Sequence, residues 1–289
     1  MRRSREPRRE EELLESRSRD LDLSGSEQKE IKERGRAKAV VIHEVIYLEG
    51  EQELRRPMLA LAWSGLAAGL SMGFSLVAEG LMHASLPDRP WRPLISNLGY
   101  TVGFLIVVLG RQQLFTENTL TVILPLLNQR NGKTLIRVLR LWTIVLVTNL
   151  IGALIFAWVI SNTEIFTDEI RQAFTEISLQ TIEGKFWVVL GRGIFAGWLI
   201  ALMVWLLPGA ESSQIAIIVI LTYLVGLAGL AHIIAGSVEV LYIVTTGAIA
   251  WGEYFGRFMI PALLGNIIGG VSLVAALNYG QVAPQINRK

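Results

Sequence analysis

From residue 58 onward, apolar residues run in six long blocks. Each approaches or exceeds the roughly 20 residues that cross a hydrocarbon core. They predict membrane spans at about 58–82, 98–127, 139–160, 186–207, 215–250 and 258–277. The second and fifth blocks are too long for one simple crossing, and each carries a polar or glycine-bearing signature at its middle. The first reads Gly110-Arg111-Gln112-Gln113-Leu114-Phe115-Thr116-Glu117-Asn118; the second reads Gly229-Leu230-Ala231-His232-Ile233-Ile234-Ala235-Gly236-Ser237. Such a block predicts two half-helices that meet at a non-helical joint. Three spans with a broken middle one are followed by three more of the same kind. An odd-numbered unit repeated once must be inverted, with a pseudo-two-fold axis in the membrane plane. The expected fold is therefore an all-α membrane protein, six transmembrane helices in an inverted 3+3 repeat with helices 2 and 5 broken. Broken helices in corresponding halves point to a substrate path near the bilayer midplane.

The blocks divide the chain into a charged region 1–57, a transport domain 58–280 and a tail 281–289. Residues 1–27 are Arg/Glu-rich and predict disorder. Residues 28–54 predict an amphipathic helix whose apolar face carries Ala39, Val40, Ile42, Val45, Ile46 and Leu48. It reads either as a membrane-surface or regulatory helix or as a solvated cap on the membrane domain.

Composition supports the membrane class. The chain is 52% hydrophobic, and residues 1–57 hold 14 of its 27 basic and 14 of its 25 acidic side chains. What remains is too little charge for a water-soluble surface. A net charge of +2 without a basic patch interleaved with aromatics excludes a nucleic-acid partner. Cysteine is absent, and His43, His83 and His232 stand far apart, so neither a thiol site nor a histidine-based metal site is expected. No short basic region followed by an apolar core marks a signal peptide. Arg130, Lys133, Arg137 and Arg140 lie between spans 2 and 3, and Arg288 and Lys289 lie at the end. The connection between spans 3 and 4 is acidic, although Arg89 and Arg92 run against the trend. On balance the positive-inside rule places both termini in the cytoplasm. Gly65, Gly69 and Gly73, and again Gly265 and Gly269, form small-residue stripes that allow close helix packing.

Five segments, in order, resemble the formate/nitrite transporter family over roughly residues 58–280. They are Leu114-Phe115-Thr116 in span 2, Asn149-Leu150-Ile151-Gly152-Ala153 in span 3, and Gly193 to Trp205 in span 4. Ala231-His232-Ile233-Ile234-Ala235 in span 5, and Pro261 with Gly265-Asn266-Ile267-Ile268-Gly269-Gly270 in span 6, complete the set. The resemblance implies an aquaporin-like fold in the inner membrane, assembled as a homopentamer with one pore per protomer. It implies small monovalent anions such as formate or nitrite as substrate, lipid as surroundings and no cofactor. Four positions depart from the family pattern: Ala231 and Gln113 stand where acids are usual, Gly197 replaces a span-4 asparagine, and Thr181 falls where a lysine is expected.

His232 is the candidate centre of the path, offering a donor to a passing anion and sharing a proton with it. The alternative is a core histidine bonded to the opposite joint. Thr116 can donate to the histidine, to the anion or to freed carbonyls. Leu114 and Phe115 are candidates for an apolar constriction. Tyr100, Phe104 and Ile200 are candidate vestibule walls, with packing or lipid contact as the alternative. Asn266 is expected to combine pore and structural roles, and Asn149 to be structural. Arg111, Glu117 and Glu239 flank the joints, and symmetry suggests a buried pair between Arg111 and one of the acids. Glu79, near a span end, is expected to reach the interface. Competing functions are a pore for a small neutral solute and a non-transporting scaffold. Enzyme activity is not expected, because no nucleophile–base set stands at the midplane.

Overall fold

The computed structural model describes residues 39–210 and 212–286, all of it helices and their connections. The expected disorder over residues 1–27, the first part of the expected amphipathic helix and the basic end at Arg288 and Lys289 lie outside the described residues. Helix α1 covers Ala39–Arg55 and turns His43, Ile46, Gly50 and Leu54 inward at one-turn spacing. Pro57 then starts α2, Met58–Ser85, in extended backbone that cannot continue α1. There follow α3 (Arg92–Leu109), the short α4 (Asn118–Thr121) and α5 (Ile123–Gln129), and α6 (Gly132–Asn162). The remainder comprises α7 (Asp168–Thr181), α8 (Phe186–Leu206), α9 (Gln214–Leu227), α10 (Ile233–Thr245) and a long run α11 (Trp251–Val282). Its last helical stretch, Ala276–Ile286, carries the helix slightly further.

Five of these, α2, α3, α6, α8 and α11, are long and apolar enough to cross a membrane, while α9 and α10 are shorter apolar helices. The acidic connection after α6 is not a loop. Asp168 and Glu169 lie in the first turn of α7, where negative charge suits the helix dipole, and Ala173, Phe174, Ile177 and Ser178 form its buried stripe.

Packing follows the glycine stripes. Helix α2 lies along both α3 and α6, α8 lies along α11, α3 against α9, and α10 against α6. At Gly69 a side chain would run into the backbone of Asn149 on α6; at Gly269 it would run into the backbone of α8 around Ile194 and Trp198. Two backbones come into direct contact at each place, which is how small residues hold helices together where lipid offers no hydrophobic drive.

Helix α1 is held to the bundle by ordinary core contacts and one unusual residue. His43 is fully buried, stacks on Tyr47, packs against Tyr279, and has an Nε2 with no partner among the described residues. Burial holds its imidazole below the usual histidine range, with Glu44 opposing.

Gly69→Val and Gly269→Val should each lower thermal stability by about 1–3 kcal/mol or prevent assembly. Gly132→Ala, which meets nothing within 4 Å, should leave the melting temperature unchanged. Because His43 is depressed, the neutral form docks; the contribution of this contact is complete above its ordinary value of 6.5 and is lost as pH falls below it. Hydrogen exchange over Ala39–Arg55 should accelerate on acidification beyond the intrinsic rate change, and His43→Phe should abolish that extra acceleration.

Candidate functional site

Helices α3 and α9 end in the same way. In α3 the N–H of Arg111 bonds the carbonyl of Val108, and that of Gln112 bonds the carbonyl of Val107. In α9 Gly229 bonds Gly226 and Leu230 bonds Val225. Both are Schellman turns, which need a left-handed residue one position past the helix. Gly229 takes it at φ 58°, as glycine readily does, and Arg111 takes it at φ 52°, where a side chain is uncommon. Helix resumes at Asn118 after the first turn and at Ile233 after the second.

Between those points the backbone has no helical partners, and two asparagines provide them. Fully buried Asn149 on α6 donates to the carbonyls of Gly65 and Gln113, at 2.7 and 2.9 Å, and accepts from the N–H of Phe115 at 2.9 Å. Fully buried Asn266 on α11 donates to the carbonyls of Gly193 and Ala231, at 2.9 and 2.8 Å, and accepts from the N–H of Ile233 at 2.8 Å. Each amide thus ties one interruption to two helices. Both N–H groups of Asn266 are consumed, so it frames the site and has no donor left for a ligand. Gly197 faces the backbone of Asn266, which makes it a helix-contact position.

The two interruptions touch at His232 and Thr116. His232 precedes α10, and its Nδ1 accepts the N–H of Ala235 at 3.1 Å, capping the helix. A backbone N–H can only donate, so Nδ1 carries no proton and the neutral ring has its hydrogen on Nε2. Nε2 lies 2.7 Å from Thr116 Oγ1 and donates to it. The Thr116 hydroxyl hydrogen is then free to point at something else, so the pair works as one donor relayed through the threonine. Protonating Nδ1 would break the cap.

Phe104 closes over this pair, its ring 4.9 Å from the imidazole and edge-on, and Tyr100 lies one turn away at 5.4 Å. Leu114, Phe115 and Ile200 are buried in the same core. Phe115, a candidate for the apolar constriction, packs its ring edge-on against Trp142 of α6 at 5.7 Å.

A cavity lies at either end of α3. The first, of about 430 Å³, is lined by Glu79, His83, Arg89, Arg92 and Asn97 among others. The second, of about 490 Å³, is lined by Val108, Arg111, Gln112, Gln113, Glu117 and Gln214 among others. Asn97, Tyr100, Phe104 and Val108 fall on one face of α3 and cover about 17 Å from cavity to cavity. His232 stands against the middle of that face. Helix α9 runs the opposite way, with Gln214 at the second cavity and Gly226 against Asn97 and Tyr100.

The expected pair between Arg111 and Glu117 or Glu239 does not form. The left-handed turn throws Arg111 outward, where it bonds Glu49 of α1 at 2.9 Å and stays largely exposed. Glu239 accepts instead from the hydroxyl of Thr181, and Glu117 Oε1 is buried without a partner among the described residues. Glu79, expected to reach the interface, is buried and lines the first cavity together with the connection residues Asp88, Arg89 and Pro90.

The family model described as formate/nitrite transporter matches residues 40–280. The chain is 41% identical over 253 residues to "Inner membrane protein YfdC" of Escherichia coli (strain K12), covering 88% of this chain and 82% of that protein. It is 27% identical over 244 residues to "Formate channel BtFdhC" of Bacillus thuringiensis, covering 81% and 91%. Among solved structures it superimposes on "Pentameric formate channel with formate bound" with a TM-score of 0.67 at 22% identity, covering 80% of this chain and 98% of that one. At that identity the likeness concerns the fold.

The asparagine ties make a direct prediction. Asn149→Leu and Asn266→Leu each orphan two buried backbone groups of a joint, one N–H and one carbonyl, at about 1–3 kcal/mol per group, and remove a second hydrogen bond from a helical carbonyl. Both should fail to assemble or melt far below wild type in detergent. Asn266→Asp, which can still accept from Ile233 but sets an acceptor against two carbonyls, should be no more stable than Asn266→Leu.

Proposed function

The chain belongs to the formate/nitrite transporter family, and we propose that it is a channel or proton-coupled transporter for a small monovalent anion, the conjugate base of a weak acid. The observation that carries this is the His232–Thr116 pair, set between two cavities on the apolar face of α3. An ion enters such a stretch only at high cost, and a hydrogen-bond donor fixed there without reorganisation lowers it. Relatives named as formate channels support the substrate class.

In this account α3 with α4 and α5 forms one broken crossing, and α9 with α10 forms the other. The matching turns, the matching asparagine ties and the opposed directions of α3 and α9 support an inverted repeat of three crossings. The basic segment from Arg130 to Arg140 faces the cytoplasm, which puts the second cavity inside and the first outside. Five copies assemble, each with its own path, by analogy with the superimposed pentameric channel.

The test is stopped-flow uptake of formate and nitrite in proteoliposomes. Wild type should carry at least one of them well above empty liposomes. His232→Asn should keep the cap on α10, because asparagine accepts from the same N–H, yet lose about 10²-fold in flux. Thr116→Val should show a similar loss. Wild-type flux from an assembled His232→Asn protein would remove the imidazole from the mechanism.

A further inference from the structure

We propose that Gln113 holds a small monovalent oxyanion at the floor of the second cavity, through the two N–H groups of its side-chain amide. The proposal rests on the anion path described above and adds to it a binding residue on one side.

A chain of hydrogen bonds fixes which end of this amide is which. Asn118 bonds the carbonyl of Leu114 at 3.0 Å, and a carbonyl only accepts, so the atom facing it is Nδ2. The second hydrogen of Nδ2 goes to Gln113 at 3.0 Å, so the atom it meets there is Oε1. Nε2 is thereby turned away from Asn118, and its two hydrogens have no partner among the described residues. Gln113 is 8% exposed and lines the second cavity. The rest of the residue is anchored. Its backbone N–H bonds Ser64 Oγ of α2 at 3.1 Å, and its carbonyl accepts from Asn149 of α6 at 2.9 Å. Gln113 is thus tied to α2, α4 and α6, and its free donors are in position before any ligand arrives, which removes the cost of ordering them.

Two unpaired donors in a nearly buried place call for acceptors, and an oxyanion supplies them. Arg111, the one cation lining this cavity among the described residues, is drawn out to Glu49 at 2.9 Å, and Glu53 pairs with Arg56 at 3.2 Å. The remaining acid, Glu117, adds no attraction. Its Oε1 and that of Gln112 make no hydrogen bond, so neither takes a hydrogen from Nε2. The anion is therefore held by neutral N–H groups without a full counter-charge. Such a grip replaces part of the hydration shell and still lets the ion move on. The subsite has no twin. In the other joint Ala231 takes the corresponding place, its carbonyl accepting from Asn266 as that of Gln113 accepts from Asn149, and a methyl group donates nothing. Gln113 and Ala231 both stand where the family pattern has an acid, so only one of these two departures turns an acceptor into a donor.

Two measurements on the full-length protein in liposomes test this. In the first, wild type carries 15N in its glutamine side chains and is given 13C-formate. Solid-state NMR should show a dipolar coupling between formate and one amide nitrogen, the amide being identified in wild type by its contact with Asn118. In the second, formate uptake is followed against formate concentration. Gln113→Glu keeps the acceptor for Asn118 and replaces Nε2 by oxygen; Gln113→Met removes the donors without adding charge. Both should raise the half-saturating concentration about 10-fold, the loss expected for a hydrogen bond to a charged group, with a smaller change in the maximal rate. Absence of the coupling, an unchanged half-saturating concentration in both variants, or a rise in Gln113→Glu alone would overturn the subsite while leaving the path standing. Should neither variant assemble, the wild-type coupling decides. Formate bound at Gln113 in a protein that carries neither formate nor nitrite would overturn the path and leave the subsite; no binding and no uptake would overturn both.

Discussion

Where a helix stops inside an apolar bundle, its freed backbone groups must find new partners, because neither lipid nor an apolar core supplies any. That constraint organises this molecule. It is met twice by one device, an asparagine from a neighbouring helix that accepts one N–H and donates to two carbonyls. Asn149 belongs to α6 and Asn266 to α11, and each is brought within reach by glycines that let backbones touch. The packing of the long helices and the geometry of the joints are therefore one problem with one solution.

Once the backbone is satisfied, the joints can present side chains. What they present is sparse: one imidazole capping α10 and one hydroxyl accepting its hydrogen bond. The cap fixes the tautomer, the tautomer fixes the direction of the bond, and the threonine is left with a hydrogen to offer. Phe104 covers the pair and Tyr100 packs on Phe104, so the surroundings of the hydrogen bond are apolar. Charged side chains line both cavities, among them Glu79, Arg89 and Arg92 in the first and Arg111 and Glu117 in the second.

Much of this was legible in the amino-acid order. Apolar block length gave the long helices, and the polar signatures Gly110–Asn118 and Gly229–Ser237 marked both interruptions and paired His232 with Thr116. Three things were not legible. The symmetry argument for Arg111 failed because a left-handed residue reverses the local chain direction, and at Arg111 nothing in the sequence announces that conformation. Gly197 lies near the site in sequence but faces the backbone of Asn266, since rotation about a helix axis is set by neighbours that a linear pattern does not name. Helix α7 was hidden by its acids, although the spacing of Ala173, Phe174, Ile177 and Ser178 carried the signal.

The central claim is that the face of α3 from Asn97 to Val108 leads from one cavity to the other past His232. The chain has no cysteine, so single-cysteine variants label cleanly. The measurement is labelling of Asn97→Cys, Phe104→Cys, Val108→Cys and Ile106→Cys in oriented vesicles with a small membrane-impermeant thiol reagent. The account predicts that position 97 reacts from one side only and position 108 from the other. Position 104 should be far slower from either side, and position 106, on another face of α3, should be inert. Reaction of 97 and 108 from the same side, or reaction at 106 as fast as at 108, would contradict it.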